Sequence, residues 1–203
     1  MGVLLTIETL AAEPRWELAR TLALPGRSRG DLLGGWGENV TARFGPDALA
    51  AVRRRLVHPL DRTAAVLTSR DWVPVHAQLL VTEAIVDELL HGDLTALGPL
   101  LVEDTRAGMG RVQLGLLKAL GAERAFRLGP RTFKKVHERG THDMDVERRR
   151  ARASFRGTPL FEHPTWRILQ LFAMRTLLEL TGHAGTVVGE DGGPDHFIAL
   201  ATW

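Results

Sequence analysis

The stretch THDMDVERRRARASFR, residues 141–156, decides the fold. Upstream of it, apolar residues recur at helical spacing. Within it the period drops to two. Met144 and Val146 alternate with Asp143, Asp145 and Glu147, and Ala151, Ala153 and Phe155 alternate with Arg152, Ser154 and Arg156. A strand sends successive side chains to opposite faces, so each half reads as a strand with one apolar and one charged face. The halves are either two strands joined by a tight turn near Arg149 or one long bent strand.

Downstream, Gly157-Thr158-Pro159 closes this segment and His163-Pro164-Thr165 opens a helix. Trp166, Leu169, Phe172, Ala173, Leu177 and Leu180 share one side of it. Ile168, Leu171, Met174 and Leu178 lie elsewhere on its wheel. A helix apolar over most of its circumference is a central, buried one. Gly182 stops it, and 186–188 and 196–202 read as two strands around the turn at 190–194. The C-terminal half is therefore strand, strand, helix, strand, strand.

Upstream, helices dominate. Residues 3–8 suit a short strand, and Pro14 starts a short helix carrying Trp16, Leu18 and Leu22. The glycine-rich stretch 26–37 is the least defined, with Asp31 as a cap for a helix towards Phe44. Pro46 starts another helix, and His58-Pro59 breaks it. Trp72-Val73-Pro74 places a proline in the first turn of a helix that runs to His91-Gly92. Asp93 caps the next helix, which extends to Leu120 with a kink at Gly108 and Gly110. A last helix spans 122–138. Helices segregated from strands imply an α+β fold, with N-terminal helices packed on an antiparallel sheet of about four strands. One domain is expected over 1–203, best defined over 60–203 and less so over 1–60.

Composition narrows the chemistry. A chain of 203 residues, 44% hydrophobic, buries a core without staples. There is no cysteine, hence no disulfide, no thiolate zinc site and no cysteine nucleophile. No apolar run approaches the roughly 20 residues of a membrane span, and no basic, cleavable leader opens the chain, so a cytoplasmic protein is expected. Met1-Gly2-Val3-Leu4-Leu5-Thr6 fits a loose myristoylation pattern but reads better as part of the first strand. Net charge is +2, with lysine only at 118, 134 and 135. An arginine-dominated basic set of this kind does not by itself imply nucleic acid.

The order of landmarks resembles that of a paralogous family of uncharacterised myxobacterial proteins. The landmarks are Trp72-Val73-Pro74, the late glycine at Leu97-Gly98, Gly157-Thr158-Pro159, Leu178-Glu179-Leu180-Thr181-Gly182 and the final run from Phe197 to Trp203. That family is similar to the wider fold shared by haem-nitric-oxide sensors, vinyl-reductase-type small-molecule domains and subunits of the eukaryotic trafficking complex TRAPP. The resemblance implies a ligand or acyl chain held between helices and sheet, or a dimeric interaction platform. The haem sensors carry a Tyr-x-Ser-x-Arg signature. This chain has no tyrosine, and His76, His91 and His137 read as ordinary helix residues. No cofactor is therefore expected, haem included.

Four constellations carry the remaining chemistry. Gly26-Arg27-Ser28-Arg29-Gly30 matches the nucleophile-elbow pattern, but no strong strand leads into it. His137 and His142 are one residue too far apart for the zinc motif on one helix face, though His142, Asp143 and Asp145 leave a loop metal site open. Arg148, Arg150, Arg152 and Arg156 share a strand face if the strand is unbroken, and such a face suits anions. Trp72, Leu101, Trp166 and Phe172 are the candidate walls of a ligand pocket between the mid-chain helices and the sheet.

These readings converge on a non-catalytic ligand-binding or protein-interaction domain. It is expected to be a homodimer that takes a small hydrophobic ligand or a protein partner, with no catalytic residue, no metal site, no membrane span and no nucleic acid. The alternatives are a small hydrolase or metal enzyme using Ser28 or His137 and His142, and an anion- or nucleic-acid-binding module using the strand arginines.

Overall fold

The 141–156 stretch is a hairpin. Strand β4 (Thr141–Glu147) pairs antiparallel with β5 (Arg150–Arg156), with Glu147 opposite Arg150. Arg148, at φ 52°, and Arg149 form the two-residue turn. A positive φ is what a tight hairpin loop requires, and the twist of the flanking strands favours it. In this computed structural model residues 4–63 and 70–203 are described.

The hairpin is one side of a five-stranded antiparallel sheet in the order β1-β6-β7-β5-β4. The other strands are β1 (Leu4–Leu5), β6 (Thr186–Asp191) and β7 (His196–Thr202). The sheet has one strand more than expected, because Leu4 and Leu5 pair with Glu190 and Gly189 at its far edge. The expected 3–8 strand is cut short at Thr6. Its hydroxyl accepts from the Thr9 backbone while the Thr9 hydroxyl accepts from its own, a capping box that starts α1 (Ile7–Ala11). The Met1-Gly2-Val3 part of the myristoylation pattern lies outside the described residues.

Helix α10 (Pro164–Leu180) packs on the inner sheet face. Small Ala151, Ala153, Ala199 and Ala201 let it approach, and Phe155 and Phe197 fill the flanks. Trp166 is fully buried, meeting Phe155 edge-on at 5.0 Å and Phe161 at 4.7 Å. Each such ring contributes roughly 1.5–3 kcal/mol by leaving water. Helices α7 (Leu97–Gly108), α8 (Arg111–Arg127) and α9 (Gly129–Val136) lie beside α10 and β4. In place of one helix kinked at Gly108 and Gly110, α7 ends at Gly108 and α8 starts at Arg111, and Gly121, at φ 70°, interrupts α8.

A second core lies towards the N-terminus. It gathers Trp36 and Val40 of α3 (Trp36–Phe44), Val52 of α4 (Pro46–Arg55) and Leu60 of α5 (Leu60–Thr63). Helix α6 (His76–Leu89) joins the two cores, giving Ala77, Val81 and Ala84 to this one and Leu79 and Val86 to the main one. Trp72-Val73-Pro74 is not a helix turn. It is strand β3 (Trp72–Pro74), paired with β2 (Arg27–Arg29) in a second, two-stranded sheet, and the helix begins at His76. Helix α2 (Leu18–Leu22) lies between α1 and β2 in the chain. The helix expected to run from an Asp31 cap to Phe44 is present only from Trp36, with Gly35 at its N-cap and a 3-10 turn over Gly30–Leu33 before it; the side chain of Asp31 lies outside the described residues. Among the described residues no helix is long and apolar enough to cross a membrane.

Candidate functional site: an apolar cavity with two neutral histidines

Helices α7 to α10 cover the inner face of β4 and β5 without filling it. A cavity of about 540 Å³ remains, walled by apolar side chains that include Leu101, Leu117, Phe126, Phe133, Met144 and Phe155. Its polar groups are few: Gln78, Thr105, Thr132, Gln170, Thr176, His137 and His142. Apolar walls with a few placed polar groups are the usual make-up of a small-molecule site. No lysine or arginine lines it among the described residues.

His142 and His137 belong to different elements but meet the same aromatic ring. His142, on β4, stacks on Phe155 with centroids 4.3 Å apart and meets Phe133 edge-on at 5.7 Å. His137, just after α9, stacks on Phe133 at 4.4 Å. Burial pushes His142 down to about 4, against smaller opposing effects of a hydrogen bond to the Gly129 backbone and of Asp143. Burial, with His142 nearby, lowers His137 to about 4 as well. Both rings are neutral at pH 7, the state in which an imidazole nitrogen offers a lone pair.

The two nitrogens of His142 differ. Nε2 is buried and has no hydrogen-bond partner among the described residues. The Gly129 backbone lies beside the His142 ring, and the residue lines the cavity. A buried polar atom left unpaired costs about 1–3 kcal/mol, and a ligand atom in the cavity is one way to satisfy it.

Of the four pocket residues read from the sequence, Leu101 lines the cavity. Trp72 sits on the small sheet, half exposed, with Arg29 over its ring at 4.5 Å. Trp166 and Phe172 are buried in the core and are not among the lining residues. The strand arginines split. Arg150, Arg152 and Arg156 share the outer face of β5, while Arg148 lies in the turn. Glu147 and Asp145 stand opposite Arg150 and Arg152, and Asp143 pairs with Arg156 at 3.6 Å, so this face carries its own counter-charges. Ser28 is buried on β2 and its backbone bridges His137, yet its Oγ has no hydrogen-bond partner among the described residues. A nucleophile needs that bond to its base. No group of three or more potential metal-ligating side chains occurs among the described residues.

His142 was weighed only for a metal site, with His137 or in a loop with Asp143 and Asp145, although a strand position was readable for it. It has the same parity on β4 as Met144 and Val146, the apolar face of the strand.

No family model matches the chain, and no curated protein matches it in sequence. Solved structures do match in shape. One is a mutant H-NOX protein from K. algicida in the unliganded Fe(II) state, with a TM-score of 0.58 and 10% identity over 86% of this chain and 95% of that one. The H-NOX protein of K. algicida in the same state matches with a TM-score of 0.52 and 11% identity, over 86% and 95%. An H-NOX structure from work on haem distortion gives 0.52 and 8%, over 86% and 94%. The chain has an H-NOX-like fold. At such identities the likeness speaks for the fold alone.

The comparison corrects one expectation. Absence of a cofactor, with haem set aside because the chain has no tyrosine signature, does not stand. The structures sharing the fold are H-NOX proteins, described by their Fe(II) state and by haem distortion. The missing signature removed a grip on haem carboxylates. It said nothing about an iron ligand, and His142 has the chemistry of one.

Proposed function

We propose that the chain is a non-catalytic sensor domain that holds haem in the cavity, with His142 Nε2 as the iron ligand. The observation that carries this reading is the buried, partnerless Nε2 of a neutral histidine in an apolar wall. Histidine is a common axial ligand of haem iron, and a hydrogen bond on its other nitrogen fixes the tautomer and raises its basicity. Haem held there would supply an iron able to bind a small gas molecule. Phe133 and Phe155 hold the His142 ring from two sides, and the apolar walls exclude water. Because no cation lines the cavity, haem carboxylates find no ion-pair partner inside it, in keeping with the absent Tyr-x-Ser-x-Arg signature.

The same reading includes one cytoplasmic domain over residues 1–203, a homodimer, and a protein partner that receives the signal. The order of landmarks shared with the myxobacterial paralogues, and the kinship of that family with vinyl-reductase-type domains and TRAPP subunits, support a binding rather than a catalytic role.

The test is titration of the purified chain with hemin, followed by the Soret band. A saturable one-to-one complex is expected, lost in His142→Ala and restored when free imidazole is added to that variant. No Soret change in the wild-type chain overturns the reading, as does wild-type affinity in His142→Ala.

A further inference from the structure

The first ten residues of α8 hide almost nothing. None of residues 111–120 is buried, although the segment is mostly apolar. Val112 is 76% exposed, Leu116 60% and Leu120 39%. They stand at i, i+4 and i+8, one stripe along the helix, and Gly115 and Ala119 lie beside them. Leu128, after the helix, is 43% exposed.

The segment that carries this stripe, with the helix after it, is basic. Between residues 111 and 135 there are seven cations, Arg111, Lys118, Arg124, Arg127, Arg131, Lys134 and Lys135, and a single acid, Glu123. All three lysines of the chain are in this set. All seven cations are exposed. Arg127 donates to the Val146 carbonyl, and none of the seven forms an ion pair among the described residues. The acids that come next in the chain are engaged elsewhere: Glu103 and Asp104 with Arg43, and Glu138 with Arg27.

We propose that the outward faces of α8 and α9 dock on an anionic lipid surface. An exposed aliphatic stripe on a segment whose exposed charges, with those of the next helix, are almost all Lys and Arg has the composition of an interfacial helix, which sets such a stripe in the acyl boundary and its cations at the headgroups. A second copy of the chain does not fit, because seven cations against one acid repel their like. Nucleic acid would use the cations but leave the aliphatic stripe in water, and no aromatic ring is exposed there for bases to stack on. On the inward side of α8, Leu117 lines the cavity, so the docking face and the cavity wall are two sides of one helix.

Sedimentation with lipid vesicles tests this. The full chain is expected to pellet with vesicles of phosphatidylcholine containing a quarter phosphatidylserine, and to stay in solution with pure phosphatidylcholine. The double variant Val112→Glu with Leu116→Glu changes only exposed positions, so it keeps its circular dichroism spectrum and stays in solution with both. Neutralising Lys134 or Lys135 to Gln weakens binding about fivefold per charge at low salt. No pelleting of the wild type with anionic vesicles overturns the proposal. Unchanged pelleting of the double variant does so too, since the stripe would then be outside the contact. Retention by polyglutamate with no vesicle binding also overturns it and assigns the face to an acidic protein.

Discussion

Gly98 faces the ring of Phe172 with no room for a side chain between them. A Cβ on residue 98 would stand 2.5 Å from Phe172 Cε1 and 3.1 Å from Cδ1. This contact sets how closely α7 approaches α10, and so the width of the cavity beside them. Phe172 is 3% exposed. Gly98→Ala is therefore expected to destabilise the chain by about 1–3 kcal/mol, as overpacking does. Trimming the ring in the double variant with Phe172→Leu restores part of the loss, because the two sites are coupled. Thermal melts of the four chains decide it. A Gly98→Ala melt at the wild-type temperature would contradict the packing described.

The assignment of His142 over His137 is separable by experiment. His142→Ala is expected to lower hemin affinity at least about tenfold, and His137→Ala to change it little. Gly129 adds a third variant. A Cβ there would come within 2.9 Å of His142 Cε1, so Gly129→Ala displaces the ring without altering its chemistry. Its Soret maximum should shift while the fold persists. Equal losses in His137→Ala and His142→Ala would instead make the two rings joint ligands.

Much of this architecture was legible beforehand because periodicity reports burial. The hairpin, the central helix and the last two strands follow from alternation at 141–156, the apolar wheel at 164–180 and the Asp191-Gly192-Gly193 turn. Trp72-Val73-Pro74 was misread because a proline before an apolar helix suits both a first turn and the end of a strand. Pairing with Arg27–Arg29, far off in the chain, decided between them. The cavity was less legible. Trp166 and Phe172 looked like pocket walls for their size, but large rings fill space, and the void adjoins small Ala153 and Ala125. His142 was read as part of a loop beside Asp143 and Asp145, whereas it belongs to β4, on the apolar face with Met144 and Val146.

The buried histidines predict loss of stability in mild acid. Burial pushes His163, His137 and His142 down to about 4. In the unfolded chain they titrate near 6.5. Their stabilising contribution is therefore complete above about pH 6.5 and is lost as pH falls towards 4, at up to about 1.4 kcal/mol per unit for each ring. His137 and His142 are partly exposed and contribute less than that. His163 is fully buried, its Nε2 3.3 Å from the Thr21 hydroxyl and 3.9 Å from Glu83. Burial raises Glu83, so its contribution has the opposite sign, present at low pH and lost as pH rises through its folded value, and it offsets part of the effect. Urea midpoints should be lower at pH 5 than at pH 7, with a shallower fall in His163→Gln. Equal midpoints at the two pH values would rule out neutral burial of these rings.

Filling the cavity separates empty space from packed core. Leu101 on α7 lines the void, whereas Leu97, one turn earlier, is 5% exposed in the main core and is not among the lining residues. Leu101→Trp places its extra volume in existing space, and is expected to cost less than about 1 kcal/mol while greatly reducing hemin uptake. Leu97→Trp has no such space and should cost the full overpacking penalty of about 1–3 kcal/mol. Paired thermal melts and hemin titrations read both quantities on both variants. If Leu101→Trp melts as low as Leu97→Trp, the space beside Leu101 is not empty. If it melts like the wild type and still takes up hemin at full affinity, the cofactor sits elsewhere, because a filled cavity cannot also hold a ligand.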